Sequence, residues 1–232
     1  MADAPQLPCD IPAEFRRFEH PLPRLAEALK SQRKIKIVAI GSSSTAGEGV
    51  VPYPYRLELA LRKRFPDRMI DVLNRGIGGQ EAPSEVSRFE GDVFAEAPVL
   101  VVWQVGTNAV FRKEEFDLGQ VGQSIATGLG WLSGLKTDVL LMDLQYAPEM
   151  VKPEKIKFSE EMVGRIADAA KKADVDVFRR FALMKHWHED DKIPFNSLIQ
   201  ADGLHQNDWS TDCVTLALFS AIEQAVGAAG VA

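Results

Sequence analysis

Four short polar stretches hold side chains able to do chemistry. Gly41-Ser42-Ser43-Ser44-Thr45-Ala46-Gly47 offers three consecutive hydroxyls directly after an apolar run. Asn74-Arg75-Gly76-Ile77-Gly78-Gly79, Gly106-Thr107-Asn108 and Asp202-Gly203-Leu204-His205 follow in that order along the chain. Together they supply a hydroxyl nucleophile, a flexible backbone turn, an uncharged amide, and a carboxylate close to an imidazole. Acyl transfer needs this set: a nucleophile, a base held in one tautomer, and donors aimed at a developing oxyanion. Singly, each stretch has a simpler use. A Ser/Gly stretch after a strand is usually a turn, glycines supply positive φ angles, asparagine caps helices, and Asp202 with His205 makes a surface pair. The joint occurrence carries the chemical reading. Spacing leaves open whether Ser42, Ser43 or Ser44 is the nucleophile.

Such stretches act together only if the scaffold brings them to one edge. Leu22, Leu25, Ala26 and Leu29 fall on one helical face. "IKIVAI" (35–40), "MIDVLN" (69–74), "PVLVVWQV" (98–105), "DVLLMDL" (138–144) and "VDVFRRF" (175–181) read as five strands. Helical stripes lie between them: Leu57, Ala60, Leu61 and Phe65; then 83–96, with Pro83 in the first turn. A third, 117–135, is softened by Gly119, Gly122, Gly128 and Gly130, and a fourth carries Phe158, Met162, Ile166, Ala169 and Ala170. A mixed segment, 183–200, precedes the Asp202–His205 stretch. Val214, Ala217, Leu218, Ala221, Ile222 and Ala225 mark a closing helix. Alternating near-continuous apolar strands and helices predict a parallel sheet covered on both faces. Right-handed crossovers make that a three-layer α/β/α sandwich of flavodoxin-like type with five parallel strands. In such folds ligands bind beyond the carboxyl ends of the strands, and three of the four polar stretches directly follow strands one, two and three.

The chain has 232 residues, of which 46% are hydrophobic and 26% charged, with a net charge of −6. This suits one soluble globular domain able to bury a large core. The acidic balance argues against broad nucleic-acid binding, which needs a basic field. No apolar run is long enough to span a bilayer. The expected organisation is a Pro-rich arm (1–21) and helix within residues 1–34, then one catalytic domain over 35–232. Met1-Ala2-Asp3-Ala4-Pro5 lacks the basic start and apolar core of a signal peptide, yet it also suits a processed start. The compartment therefore reads as cytoplasmic or, after removal of a leader, periplasmic or secreted. Cys9 and Cys213 form no CxxC metal pair and read first as two unrelated thiols. The alternative is a bridge from the arm to the last helix, closing a very long loop.

The four stretches resemble the four blocks of the SGNH (GDSL-type) hydrolases, and the similarity runs from about Ile35 to about Trp209. The resemblance implies a serine esterase on a three-layer α/β sandwich. It puts the nucleophile on Ser43, the carboxylate and base on Asp202 and His205, and the oxyanion donors on Ser43 N–H, Gly79 N–H and the Asn108 amide. It implies no metal and no organic cofactor. The substrate would be a small-molecule or carbohydrate ester with a short acyl group such as acetyl, since no long insertion suggests a large lid. Two positions depart from the family pattern: Ser42 and Ala109 stand where many members carry Asp. Loss of those carboxylates predicts a less acidic rim.

Other readings fit less well. An α/β-hydrolase shares the Ser…Asp…His order, but its G-x-S-x-G elbow is absent, because Thr45 stands at the final glycine. A nucleotide-binding module would need G-x-x-x-x-G-K-[ST] or G-x-G-x-x-G after strand one. A catalytically weak acyl- or glycan-binding protein is a further alternative, against which the intact set of parts speaks. His186-Trp187-His188, beside Glu189, Asp190 and Asp191, reads as a solvated loop rather than a zinc site, since histidines at i and i+2 face together only on a strand. Tyr53, Phe111 and Trp209 read as packing residues.

Overall fold

A computed structural model describes residues 8–231. The start of the predicted arm, including Ala2-Asp3-Ala4-Pro5, lies outside the described residues. The chain runs through α1 (Pro23–Ser31), β1 (Lys34–Gly41), α2 (Ser43–Ala46), α3 (Tyr53–Arg64), β2 (Met69–Gly76), α4 (Ala82–Val86), α5 (Phe89–Asp92), β3 (Leu100–Gln104), α6 (Thr107–Phe111) and α7 (Leu118–Leu132). It continues through β4 (Asp138–Met142), α8 (Ile156–Ala173), β5 (Asp176–Phe178), α9 (Arg180–Glu189) and α10 (Asp208–Ala228).

All five strands pair in parallel, in the order β2-β1-β3-β4-β5. Every residue of β3 is buried: the apolar run Leu100–Trp103 requires it when helices cover both faces, and the polar Gln104 at its end is buried with it. In one helical series α10 packs between α1 and α3; in the other α7 packs between α4 and α8. Chain order steps from β1 to β2 on one side and from β2 across to β3 on the other. Right-handed crossovers therefore put the two series on opposite faces, completing the predicted α/β/α sandwich. The direction of winding reverses between β1 and β3, and a crevice opens there at the carboxyl edge.

Helix 117–135 forms as α7 despite its glycines. Gly128 is needed: a Cβ there would sit 2.5 Å from the Trp103 indole, so the missing side chain lets α7 close onto the central strand. The predicted helix 83–96 is broken into α4, α5 and a 3-10 turn over Phe94–Glu96. Strand five is shorter than predicted, because Arg180 and Phe181 open α9 instead. The Phe181 N–H, one of the first-turn donors that a helix leaves unpaired, finds the Asp143 carboxylate at 2.8 Å. The segment 183–200 is also more ordered than a mixed stretch, since α9 runs to Glu189.

Two aspartates fix the amino edge. Asp138 accepts from the Leu25 N–H (2.9 Å), and Asp176 accepts from the N–H groups of Glu19 and His20 (2.9 and 3.0 Å). They hold the described part of the arm and the start of α1 beneath the sheet. The reading of Cys9 and Cys213 as unrelated thiols is overturned. They form a disulfide, with Cα atoms 5.7 Å apart and a separation of 204 positions in sequence. The arm places Cys9 there by folding back on α9, where the buried Trp187 indole donates to the Asp10 carbonyl at 2.6 Å. Protein unfolded without reductant should therefore show no free thiol, and reduced protein two. Cys9→Ser should lower the unfolding free energy by about 2–4 kcal/mol in denaturant titrations.

Candidate active site

The turn after β1 presents its three serines in three directions. Ser42 donates through Oγ to Gln104 Oε1 (2.9 Å), and Ser44 donates through Oγ to Gln145 Oε1 (3.3 Å). Ser43 opens α2, and its Oγ lies 2.8 Å from His205 Nε2. The other imidazole nitrogen, Nδ1, lies 2.5 Å from Asp202 Oδ2. Asp202 Oδ1 meanwhile accepts the N–H groups of Leu204 (2.9 Å) and His205 (3.0 Å), a tight turn closed by the aspartate itself. Burial alone would raise the Asp202 carboxyl. The His205 ring and those two N–H groups outweigh it and hold the carboxyl below its usual range. Nδ1 therefore carries the proton and Nε2 is left as an acceptor toward Ser43.

The turn after β2 arrives from the other side. The Asn74 carboxamide accepts the Gly76 N–H at 2.9 Å and shapes the turn. Gly79 has φ +77°, in the region that favours glycine. Asn108, on α6 after β3, is buried and donates through Nδ2 to the Gln80 carbonyl at 2.8 Å. A primary amide has two N–H bonds, so one locks Asn108 onto the glycine turn and the second is left over. The structure thus brings Ser43, Gly79, Asn108, Asp202 and His205 to one crevice.

Several residues that shape the site were not singled out from the sequence. Glu81 is fully buried and accepts N–H bonds from Gly106 (2.8 Å), Ala109 (2.9 Å) and Ala82 (3.0 Å), so it holds the turn that carries Asn108. Burial raises its carboxyl, against the pull of those donors. Glu85 is raised well above the usual range by burial and by the charge of Glu81. Glu85 Oε2 accepts from the Trp103 indole at 2.8 Å, which works against that rise. Behind the serines runs a polar layer. Gln145 Oε1 accepts from Thr107 Oγ1 (2.9 Å) and Arg180 Nη2 (2.9 Å), while its Nε2 donates to the Leu204 carbonyl (3.2 Å). Arg180 also donates through Nε to the Asp143 carbonyl at 3.1 Å. For the polar layer the signal is a polar side chain at or just past the end of an apolar strand, as in Trp103-Gln104 and Leu144-Gln145.

At the rim, Glu48 Oε2 lies 3.8 Å from His205 Nε2. One expectation is corrected. His186-Trp187-His188 is no loop but part of α9, because Trp187 is wholly buried and anchors that turn in the core. His186 Nδ1 meets Asp190 at 2.8 Å, and His188 stacks on Phe195 with ring centroids 3.7 Å apart. Among the described residues no cluster of three or more His, Cys, Asp or Glu side chains is arranged to hold a metal ion. Tyr53 is buried, and Phe111 carries Lys155 Nζ 4.8 Å from its ring centre. Trp209 packs on Trp187 with centroids 5.4 Å apart.

The model of the non-GDSL lipase-like family matches residues 8–228. No curated protein matches the chain. Among solved structures, an acetylxylan esterase from Geobacillus stearothermophilus is 20% identical with a TM-score of 0.68, covering 83% of this chain and 94% of its own. Variants of that esterase described as catalytic replace a serine, or an aspartate and a histidine three positions apart. An α/β hydrolase from the metagenome of Lake Arreo, Spain, is 18% identical with a TM-score of 0.68, covering 85% of this chain and 97% of its own. At these identities the likeness is one of fold.

Burial pushes the Asp143 carboxyl up to about 7, against the Phe181 N–H and the Arg180 guanidinium, which lower it. A carboxyl raised on folding binds its proton more tightly in the folded than in the unfolded state. Its contribution to stability is full at low pH and is lost as pH rises from about 4 to about 7. Asp143→Asn keeps an acceptor for Phe181 and should flatten that part of the stability–pH curve, measured by urea unfolding. Glu81→Leu, which strands three N–H groups, should cost at least about 3 kcal/mol at any pH.

Proposed function

The chain belongs to the non-GDSL lipase-like family, within the SGNH-type hydrolases, and from that premise we propose that it is a serine esterase acting on small acetyl esters. The observation that carries the reading is the contact of Ser43 Oγ with His205 Nε2 at 2.8 Å, made by residues 162 positions apart. His205 takes the Ser43 proton as Oγ attacks the ester carbonyl. Asp202 keeps the ring in the required tautomer and stabilises the imidazolium that forms. The oxyanion of the tetrahedral intermediate is met by the N–H groups of Ser43 and Gly79 and by the spare N–H of the Asn108 amide. Collapse expels the alcohol, which takes its proton from His205 Nε2. Water then attacks the acetyl-enzyme, giving its proton to the same nitrogen, and Ser43 is released. The chain's own groups supply every proton transfer in this cycle.

The acetyl preference draws on one structural neighbour, described both as an acetylxylan esterase and as an acetyl-xylooligosaccharide esterase. It also draws on the exposure of Gly78 and Gly79 in the turn after β2. We take residues 35–232 as the catalytic unit and residues 1–34 as its N-terminal arm and helix. The Cys9–Cys213 bridge favours folding in an oxidising compartment, where such bonds persist. Among the described residues no helix is long and apolar enough to cross a membrane.

A fluorophosphonate probe should label the wild-type protein, Ser42→Ala and Ser44→Ala, and fail on Ser43→Ala. Labelling that survives Ser43→Ala would remove that residue as nucleophile. On nitrophenyl acetate, Asn108→Ala should lower kcat by about 10²–10³ with a much smaller change in KM.

A further inference from the structure

Glu48 stands over the site without a structural task for its carboxylate. Oε2 is 3.8 Å from His205 Nε2, and Oε1 lies only 2.3 Å from where a Cβ on Gly78 would be. The carboxylate thus occupies the gap between the imidazole and the glycine turn, on the side from which the leaving alcohol must take its proton. The other charges around the crevice are paired. Arg112 bonds Glu115 (2.9 Å) and the Gly79 carbonyl, Glu149 bonds Lys152 (2.6 Å), and Asp202 bonds His205. Among the described residues, the side chain placed to pair with the Glu48 carboxylate is His205, and it does so only when its ring is protonated.

The loop that carries Glu48 is nevertheless held firmly. Gln200 Nε2 donates to the Glu48 carbonyl (2.9 Å) and to the Gln206 carbonyl (2.9 Å), while the Gln200 N–H donates to the His205 carbonyl (2.8 Å). One residue therefore fixes the spacing between the loop of the carboxylate and the loop of the base.

We propose that Glu48 selects the alcohol half of the substrate: it accepts a hydroxyl next to the ester oxygen and repels alcohols that carry an anion. This deepens the esterase reading and rests on it. During expulsion the leaving oxygen must lie within hydrogen-bond reach of His205 Nε2. A carboxylate 3.8 Å from that nitrogen is then one hydrogen bond from a hydroxyl on the adjacent carbon. A charge-assisted bond there favours neutral polyols, the chemistry of partly acetylated carbohydrates. A phosphate or carboxylate in the same place meets like charge in a half-exposed setting, where repulsion is real but screened by salt.

The test compares kcat/KM for three acetyl esters: monoacetylglycerol, propyl acetate and monoacetylglycerol phosphate. Ratios are taken within each protein sample, so any loss of folded fraction cancels. Wild-type protein should prefer monoacetylglycerol over propyl acetate and disfavour the phosphate. Glu48→Gln keeps an acceptor but no charge. It should raise the phosphate-to-glycerol ratio about tenfold at low salt, an advantage that shrinks as salt is added. Glu48→Leu should raise that ratio too, and should also cut the preference for monoacetylglycerol over propyl acetate about tenfold. Ratios that stay at wild-type values in both variants overturn the assignment and leave the esterase reading standing. Wild-type protein that neither reacts with a fluorophosphonate nor hydrolyses any of the three would sink the esterase reading, and the role of Glu48 with it.

Discussion

A parallel sheet ends its strands side by side, and the backbone groups and polar side chains at those ends must find partners away from water. Here the buried layer of Gln104, Thr107, Gln145 and Arg180 supplies them. Gln104 Oε1 takes the Ser42 N–H (3.0 Å) and Oγ (2.9 Å), and Gln104 Nε2 reaches Thr107 (3.4 Å). Thr107 passes the chain of bonds to Gln145, and Gln145 reaches across to the Leu204 carbonyl, next to His205. Turns that follow different strands are thereby tied into one hydrogen-bonded sheet beneath the crevice. Their relative positions follow from this layer more than from any contact inside the crevice, where Ser43 and His205 share a single bond.

Such a layer is costly to bury, and its composition shows how the cost is contained. Arg180 is wholly buried, and burial lowers its guanidinium to about 10 while the neighbouring Asp143 charge raises it. Its Nε, Nη1 and Nη2 all donate, to the Asp143 carbonyl, Gln206 Oε1 and Gln145 Oε1. Removing one partner from a buried ionic group strands the others, so these residues are interdependent in a way apolar contacts are not. Glu81 follows the same logic on the opposite side of the crevice: one carboxyl group closes three backbone donors, and the nearby Glu81 charge helps burial push the Glu85 carboxyl well above its usual range.

This explains what could be read from the amino-acid order and what could not. The strands were legible because β1, β3 and β4 are continuous apolar runs, and their alternation with helical stripes fixes a parallel sandwich. The four polar stretches were legible because each follows a strand or precedes the last helix. The polar layer was not legible because a glutamine or arginine at a strand end reads equally well as a solvated turn residue, and only tertiary packing buries Gln104, Gln145 and Arg180 together. Nothing in the local order marks Glu81 and Glu85 as buried; tertiary packing alone buries them. Strand five was drawn too long because "FRRF" is as apolar-flanked as a strand. A side chain from a neighbouring strand, Asp143, decides that Phe181 starts a helix instead. The disulfide was undecidable, since residues 204 positions apart say nothing of proximity.

The base sits in a short loop that would wander if only the sheet held it, and the chain solves this by bridging that loop more than once. Gln145 grips the Leu204 carbonyl from the loop after β4, Gln200 grips the His205 carbonyl from the loop in front, and Arg56 on α3 pairs with Asp208 and Asp212 at the start of α10. The Arg56 bridge matters because α3 follows the serine turn closely in sequence, so it couples the nucleophile's own segment to the helix that begins three residues after His205. Farther along α10, the disulfide at Cys213 adds a covalent tie to the arm. Each tie comes from a different element and none passes through another. An error in one leaves the remaining ties to hold a 2.8 Å contact between residues drawn from opposite ends of the sequence.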